Sequence, residues 1–532
     1  MRSFGQRLLF AVAVAVLPYV LASAPPATHA PASYDGVDPL LQSAVLLYSA
    51  DTLPLDLARW NAPFFYPVPL SLSFMDPLLG QAAAVRWIPT LRGSVGRLYF
   101  AAFALSVGLA FIATIQLGRA LGLSERQGTL AGLAFVLCPY AAAHWHHLNQ
   151  LPSPWIPWAL LGVLRLRRRD RGGAALLLFA LCAQLAFGIY GLASALVVVL
   201  PLAAFCFWVG GRRERVRLLI ALATFGAVLW LYSTPYRLAA ATVEGFDRGV
   251  QESGPYAARI FDLWHGPRSH LMAWPSWIPG RGVIYPGWGL FALSVVAVGL
   301  GRRRGEDRGW ILVALLAAAF GVVLAFGRSA PVPFAASEPS LPFAWLQDLL
   351  WPLRAIRASY RFFQPATLAL ALLAPVGATL LWARARPAPR AVLALLFALV
   401  VLDVAPGRLP RVRLEADGAE RELITRLAAR PDRPWTILPQ PCGESAETAG
   451  DARAMQWAVL SGAPLVGGSS GFVPPSHLAM RSRCCGGANV GCIEALRAMG
   501  VRRVLTLDEI ENVDGIRSEG RCGEFWCYEL LP

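Results

Sequence analysis

Three carboxylates in the first hundred residues stand in settings suited to acid–base chemistry. Asp35 and Asp38 lie in Tyr34-Asp35-Gly36-Val37-Asp38-Pro39-Leu40-Leu41, and Asp76 lies in Met75-Asp76-Pro77-Leu78-Leu79-Gly80. A carboxylate can take the proton from a hydroxyl that attacks an activated sugar. The bland alternative is helix capping. Asp38 and Asp76 each precede Pro and two Leu, the order of an N-cap followed by Pro at the first helical position. Asp35 and Asp38, three apart, would share a helix face and could offer two acids to a divalent cation with waters and phosphate. Gly36 and Pro39 favour a turn with a solvated pair instead.

Two further groups are cationic or polar. His144-Trp145-His146-His147, with Asn149 and Gln150, suits contact with a phosphate or an acceptor. Without a carboxylate or Cys nearby in sequence it is a poor transition-metal set, and the competing reading is a polar cap with Trp145 at headgroup depth. Arg354, Arg357 and Arg361 are spaced by three and four, one face of a helix. Guanidinium groups suit bidentate phosphate binding; the alternative is snorkelling at an interface. Trp264, Trp274 and Trp277 offer sugar-stacking faces or an interfacial belt.

The elements that must position these residues are membrane spans. The chain has 532 residues, 56% hydrophobic and only 15% charged, against about 25% charged in a typical soluble chain. The net charge is +15 and all 48 basic residues are Arg. They cluster at Arg165 to Arg171, Arg212 to Arg217, Arg302 to Arg308 and Arg384 to Arg390, between long apolar runs. That is the positive-inside pattern, and it argues against nucleic acid as a partner. About eleven segments are candidate spans: 6–25, 98–121, 128–143, 152–166, 173–190, 191–210, 218–235, 284–301, 309–327, 361–383 and 390–406. The first, with Arg2, Arg7 and Ala22-Ser23-Ala24, resembles a signal peptide and reads as an uncleaved anchor. With a cytoplasmic N-terminus, every Arg cluster falls on the cytoplasmic side.

The expected organisation is an all-α polytopic membrane domain over 1–406, with a large first external loop at 26–97, and an extracytoplasmic α/β domain over 407–532. Strands are expected at Trp435 to Leu438, Arg503 to Leu507 and Phe525 to Leu530, and a helix at Gly491 to Met499 stopped by Gly500. Six of nine cysteines lie in this tail: Cys442, Cys484, Cys485, Cys492, Cys522 and Cys527. An even number in an extracytoplasmic domain reads as disulfides; zinc is the rival, weakened by the lack of a Cys-x-x-Cys pair.

The order of several short motifs resembles bacterial multi-span GT-C type glycosyltransferase-like membrane proteins. Asp38-Pro39-Leu40-Leu41, Phe65-Tyr66-Pro67 and Asp76-Pro77-Leu78-Leu79-Gly80 resemble the first loop of that group. His147-Leu148-Asn149-Gln150 with Pro154-Trp155-Ile156-Pro157, Tyr285-Pro286-Gly287, Arg354 to Phe362, Gly471-Phe472-Val473-Pro474-Pro475 and Ala498 to Val504 fit further along. Such loops often read Gly-Asp-Pro, where this chain has Val37, and Glu-His, where it has Asp76-Pro77.

The resemblance implies a GT-C-like fold in the bacterial inner (plasma) membrane. It implies transfer of a sugar from a polyprenyl-phosphate donor to an envelope glycan, lipid or protein acceptor at the outer face. Asp38 would be the base, and the Arg face would hold the lipid phosphate. No certain cofactor follows, and a divalent cation is compatible. The rival readings are a lipid-linked saccharide carrier or flippase, and a non-catalytic envelope membrane protein. A carrier is expected to place ionisable groups near mid-membrane, where this chain shows only Gln116 and Gln184.

Overall fold

The computed structural model describes residues 28–31, 36–53, 56–91, 93–246, 256–264, 284–300, 308–328, 340–349, 358–383, 387–404, 411–438, 449–470, 472–510 and 515–531, with a few isolated positions besides. Two compact units divide the chain. The first comprises Met1–Ala22, Phe103–Leu231 and Arg248–Leu409; the second comprises Ser23–Ala102, Tyr232–Asp247 and Pro410–Pro532.

The first unit is helical. Among the described residues four helices are long and apolar enough to cross a membrane: Val95–Ala120, Ile189–Val209, Arg212–Thr242 and Ser359–Trp382. Gly173–Phe187, Trp288–Leu300 and Ala391–Val400 are shorter apolar helices. The expected span at 128–143 is two helices, Glu125–Leu137 and Pro139–Ala143. Pro139 has no N–H to continue the first helix and clashes with its preceding turn, so it starts a new one. The expected span at 152–166 is the 13-residue helix Trp155–Arg167, about 20 Å long and short of a full crossing. The expected first span, 6–25, lies outside the described residues apart from isolated positions.

Small residues let these helices approach closely. A Cβ at Gly162 would stand 2.6 Å from the Leu177 backbone nitrogen, seating Trp155–Arg167 against Gly173–Phe187. Gly377 likewise lies against the Leu293 carbonyl, bringing Ser359–Trp382 onto Trp288–Leu300. Gln184, fully within an apolar helix, bonds Ser153 and the Gly188 carbonyl, and Gln116 accepts from Trp158 Nε1 at 2.8 Å. Both mid-span amides therefore serve helix packing.

The second unit holds the sheets. Strands β3 (Trp435–Leu438), β4 (Arg503–Thr506), β5 (Ile516–Cys522) and β6 (Phe525–Leu530) are ordered β3-β4-β6-β5. β3 and β4 are parallel, while β6 runs antiparallel to both β4 and β5. Three of these strands stand where the sequence predicts them; β5, largely polar, carries no apolar run to announce it. The helix Val490–Ala498 is capped by Asn489, whose side chain accepts from Cys492 N, and ends at Gly500 with φ +77°. Val501 N then bonds back to Leu496 O, closing the turn that glycine favours.

The first loop packs into this unit. The helix Val37–Thr52 buries Leu40, Ala44, Val45 and Leu46, and it lies along the helix Ala449–Ser461, where Gln456 Nε2 donates to Ser43 Oγ. β1 (His29–Pro31) pairs antiparallel with β2 (Arg411–Arg413). Leu465 N bonds Pro63 O, Phe65 N bonds Gly467 O, and Tyr66 N bonds Leu465 O. In its contacts the loop 26–97 thus groups with the tail 407–532, whereas a division at residue 406 assigns it to the membrane part. An apolar helix face must be covered, and the tail covers this one.

Candidate functional site

In the first unit the cluster is built around Arg361, in the 3-10 turn Ser359–Phe363 that precedes the helix Gln364–Trp382. Ser194 Oγ donates to the Arg361 carbonyl at 2.9 Å, fixing that turn to the helix Ile189–Val209. The guanidinium carbon lies 3.6 Å from the centroid of the Tyr190 ring and 5.8 Å from that of Tyr360. Two aromatic faces thus steer the cation while leaving it charged.

His144, the first residue of the His-rich stretch, completes the cluster. Its Nδ1 lies 2.7 Å from the Tyr140 carbonyl, the geometry of a donated N–H. Its ring packs on Tyr140, at 4.3 Å between centroids, and on Tyr360, at 5.4 Å. Burial pushes the imidazole down to about 3, with His146 and Arg361 adding to the effect and the Tyr140 carbonyl opposing it. His144 is therefore neutral at ordinary pH, and the cluster's formal positive charge rests on Arg361. Gln150, also buried, faces the Tyr360 hydroxyl at 3.4 Å, and Gln364 donates to Leu151 O at 2.8 Å. These two bonds tie the segment after the His run to the Arg361 turn. His146 and His147, half-buried, stack at 4.1 Å between centroids, and Asn149 is half-buried. Trp145 is only 3% exposed, which places it inside protein and not at headgroup depth. Arg354 and Arg357 lie outside the described residues.

In the second unit the helix Val37–Thr52 positions both described carboxylates. Asp38 does not cap it. The N-cap is Gly36, at φ +69°, a left-handed conformation that glycine adopts freely. The helix consequently begins at Val37 and places Asp38 in its first turn, facing the positive end of the helix dipole. Pro39 still falls where an N–H has no helical partner. Asp76 does not cap either. It lies in an extended stretch before the helix Leu79–Val85, whose N-cap is Leu78 at φ +52°. Ser49 Oγ donates to Pro77 O at 2.6 Å, holding the Asp76-Pro77 segment about three turns along the helix from Asp38. The two carboxylates are therefore held at opposite ends of one helix. Asp35 lies outside the described residues.

Tail cysteines form the disulfides Cys484–Cys492 and Cys522–Cys527, with Cα separations of 4.7 and 5.9 Å. These four thiols are thereby unavailable to zinc. Cys442 lies outside the described residues, and Cys485 follows the helix Pro475–Cys484 directly. Among the second loop's tryptophans, Trp264 stacks on Trp288 at 5.5 Å and is half exposed; Trp274 and Trp277 lie outside the described residues. Sequence reasoning did not single out Tyr140, Tyr190, Tyr360 and Gln364. Tyr360 adjoins Arg361 in the chain, but nothing local marks Tyr190.

The mycobacterial arabinofuranosyltransferase AftD superposes with a TM-score of 0.61 at 17% identity, over 99% of this chain and 40% of AftD. A mutant AftD structure gives 0.62 at 16% identity, over 99% and 42%. The Archaeoglobus fulgidus oligosaccharyltransferase tethered to an acceptor peptide gives 0.52 at 10%, over 94% and 68%. The chain spans about two fifths of the length of AftD. These likenesses establish the GT-C fold. Residues 43–405 match the family described as a domain of unknown function, DUF6311, and the chain belongs to that family. No curated protein matches in sequence.

Proposed function

We propose that the chain is a membrane glycosyltransferase that moves a sugar from a polyprenyl-phosphate donor to an envelope acceptor at the outer face. In this reading an acceptor hydroxyl attacks the anomeric carbon, the bond from that carbon to the phosphate oxygen breaks, and polyprenyl phosphate leaves. Asp38, in the first turn of the helix Val37–Thr52, takes the hydroxyl proton. Arg361 stabilises the negative charge that grows on the departing phosphate, where a preoriented charge-assisted donor is most effective. Arg354 and Arg357 extend the same basic segment, and His147, Asn149 and Gln150 supply polar contacts to donor or acceptor. A divalent cation, if bound, would take the Asp38 carboxylate as a ligand and would supply positive charge for the leaving phosphate.

The observation that carries the reading is the Arg361 guanidinium over the Tyr190 ring beside a neutral His144, in a helical unit of GT-C fold. The experiment is to give purified protein in liposomes a radiolabelled polyprenyl-phosphate sugar and an envelope extract. Label moving into a new product supports the transferase. Leaflet exchange of the donor with no product overturns it in favour of a carrier, and neither event leaves a non-catalytic protein.

A further inference from the structure

The second unit carries a cleft of about 560 Å³ that none of the residues above uses. Its size falls within the range of small-ligand sites, roughly 300–1,000 Å³. One wall is the C-terminal turn of the helix Val37–Thr52, with Tyr48 and Asp51. The facing wall is the segment from Asn61 to Pro69, and Val459 with Pro464 closes the remaining side.

The segment Asn61 to Pro69 is held firmly in an unusual shape. Phe65 and, just beyond, Leu70 adopt left-handed backbone angles, φ +58° and +57°, that side-chain-bearing residues rarely take. The surroundings enforce them. Phe65 N and Tyr66 N bond Gly467 O and Leu465 O, and Leu70 N bonds Asn61 Oδ1 at 2.7 Å. Tyr48 OH donates to Arg59 O at 2.7 Å. Strain maintained in this way points to a formed site and not to a slack loop.

The chemistry on offer is specific. Tyr66 is 38% exposed and lines the cleft beside Pro67 and Pro69. The Asp51 carboxylate is exposed, and the Asn61 amide, its oxygen spent on Leu70, retains its NH2 as a donor. Main-chain groups contribute little. Pro63, Pro67, Pro69 and Pro464 lack an N–H, and those of Phe65, Tyr66, Val68 and Leu465 are already bonded. An extended peptide, which binds by adding a strand through backbone bonds, finds no ladder here. A ligand with an apolar ring face and a rim of hydroxyls finds an aromatic face, a carboxylate acceptor and an amide donor.

We infer that this cleft binds a saccharide. Its use as a hold for an acceptor glycan rests on the transferase reading; its binding of sugar does not. The test uses the full-length protein in nanodiscs and saturation-transfer NMR with maltotriose, mannotriose, cellotriose and xylotriose, and with a proline hexapeptide for comparison. At least one trisaccharide should bind. Asp51→Asn, an isosteric change at an exposed position, and Tyr66→Ala should each weaken it about tenfold or more, with thermal unfolding unchanged for Asp51→Asn. Binding of no trisaccharide, binding unaltered by Asp51→Asn and Tyr66→Ala, or binding of the peptide alone would overturn the inference. Cleft-dependent binding without any transfer would leave it standing while the transferase reading fell; transfer without binding would do the reverse.

Discussion

The guanidinium of Arg361 sits 3.6 Å above the ring of Tyr190, although 171 residues separate them in the chain. The ring holds a half-buried cation in one orientation. If that cation meets the donor phosphate, Arg361→Ala should raise the donor KM about tenfold to a hundredfold and leave the acceptor KM nearly unchanged. Tyr190→Leu keeps the charge and removes the ring, so its effect should be smaller, severalfold, in line with about 0.5–2 kcal/mol for a cation–π contact. Equal effects on both substrates would point to a structural role for the pair.

Asp38 and Asp76 make a second comparison, because one helix holds them at opposite ends. Asp38→Asn preserves size, and Asp38 is not the N-cap. Transfer should fall by about 10²–10⁴-fold with normal expression and unfolding temperature. Asp76→Asn should cost much less. Both rates are read in one radiolabel assay, and full activity in Asp38→Asn would move the base elsewhere.

Apolar runs made the helices of the first unit legible, and cysteine placement foretold tail disulfides, because both are local or compositional signals. What stayed hidden depends on contacts distant in sequence. Ser43 and Gln456, 413 positions apart, join the first loop to the tail, and no periodicity in either segment announces the other. The capping alternative for Asp38 failed for a local reason: Gly36 adopts a left-handed angle and starts the helix two residues earlier than a cap at Asp38 would. His144 looked like a polar contact group; burial against Tyr140 and Tyr360 makes it a neutral packing element, and only the fold supplies that burial.

In the first unit Asp403 accepts from Tyr285 OH at 2.6 Å and from Gly289 N at 3.0 Å. It thereby caps the helix Trp288–Leu300 from a different helix and anchors Tyr285-Pro286-Gly287. Asp403→Ala leaves both buried donors without their acceptor, at about 1–3 kcal/mol each. The thermal unfolding temperature in detergent should drop clearly, and Asp403→Asn, which retains an oxygen acceptor, should drop less.

The two tail disulfides close loops with sequence separations of 8 and 5. Chain-entropy reasoning assigns each about 2 kcal/mol. Replacing either pair with Ser should lower the unfolding free energy by that order, read as a lower midpoint of denaturant unfolding. Thiol labelling of the unreduced native protein should leave these four cysteines unmodified, and their labelling at full stoichiometry would contradict the pairing.

His477 gives a pH dependence whose sign is set by burial. Its Nε2 stands 3.2 Å from the Tyr66 carbonyl, its Nδ1 lies 3.4 Å from Ser476 Oγ, and the Phe65 ring packs on it at 5.5 Å. Burial pushes its imidazole down to about 4, the Arg481 cation adds to this, and the Tyr66 carbonyl opposes it. Arg481 itself is ion-paired with Asp451 at 3.3 Å. In the unfolded chain the same ring titrates near 6.5. Between those two values the unfolded state carries a proton that the folded state refuses, so stability is full above about 6.5 and declines as pH falls towards 4. The slope can reach about 1.4 kcal/mol per pH unit. His477→Gln keeps a side-chain donor for the Tyr66 carbonyl and has nothing to titrate in that window. Unfolding midpoints of both proteins across pH 4 to 7 should diverge, with the parent losing stability towards acid and the variant staying flatter. Parallel curves would mean that His477 takes up its proton without unfolding the segment it supports.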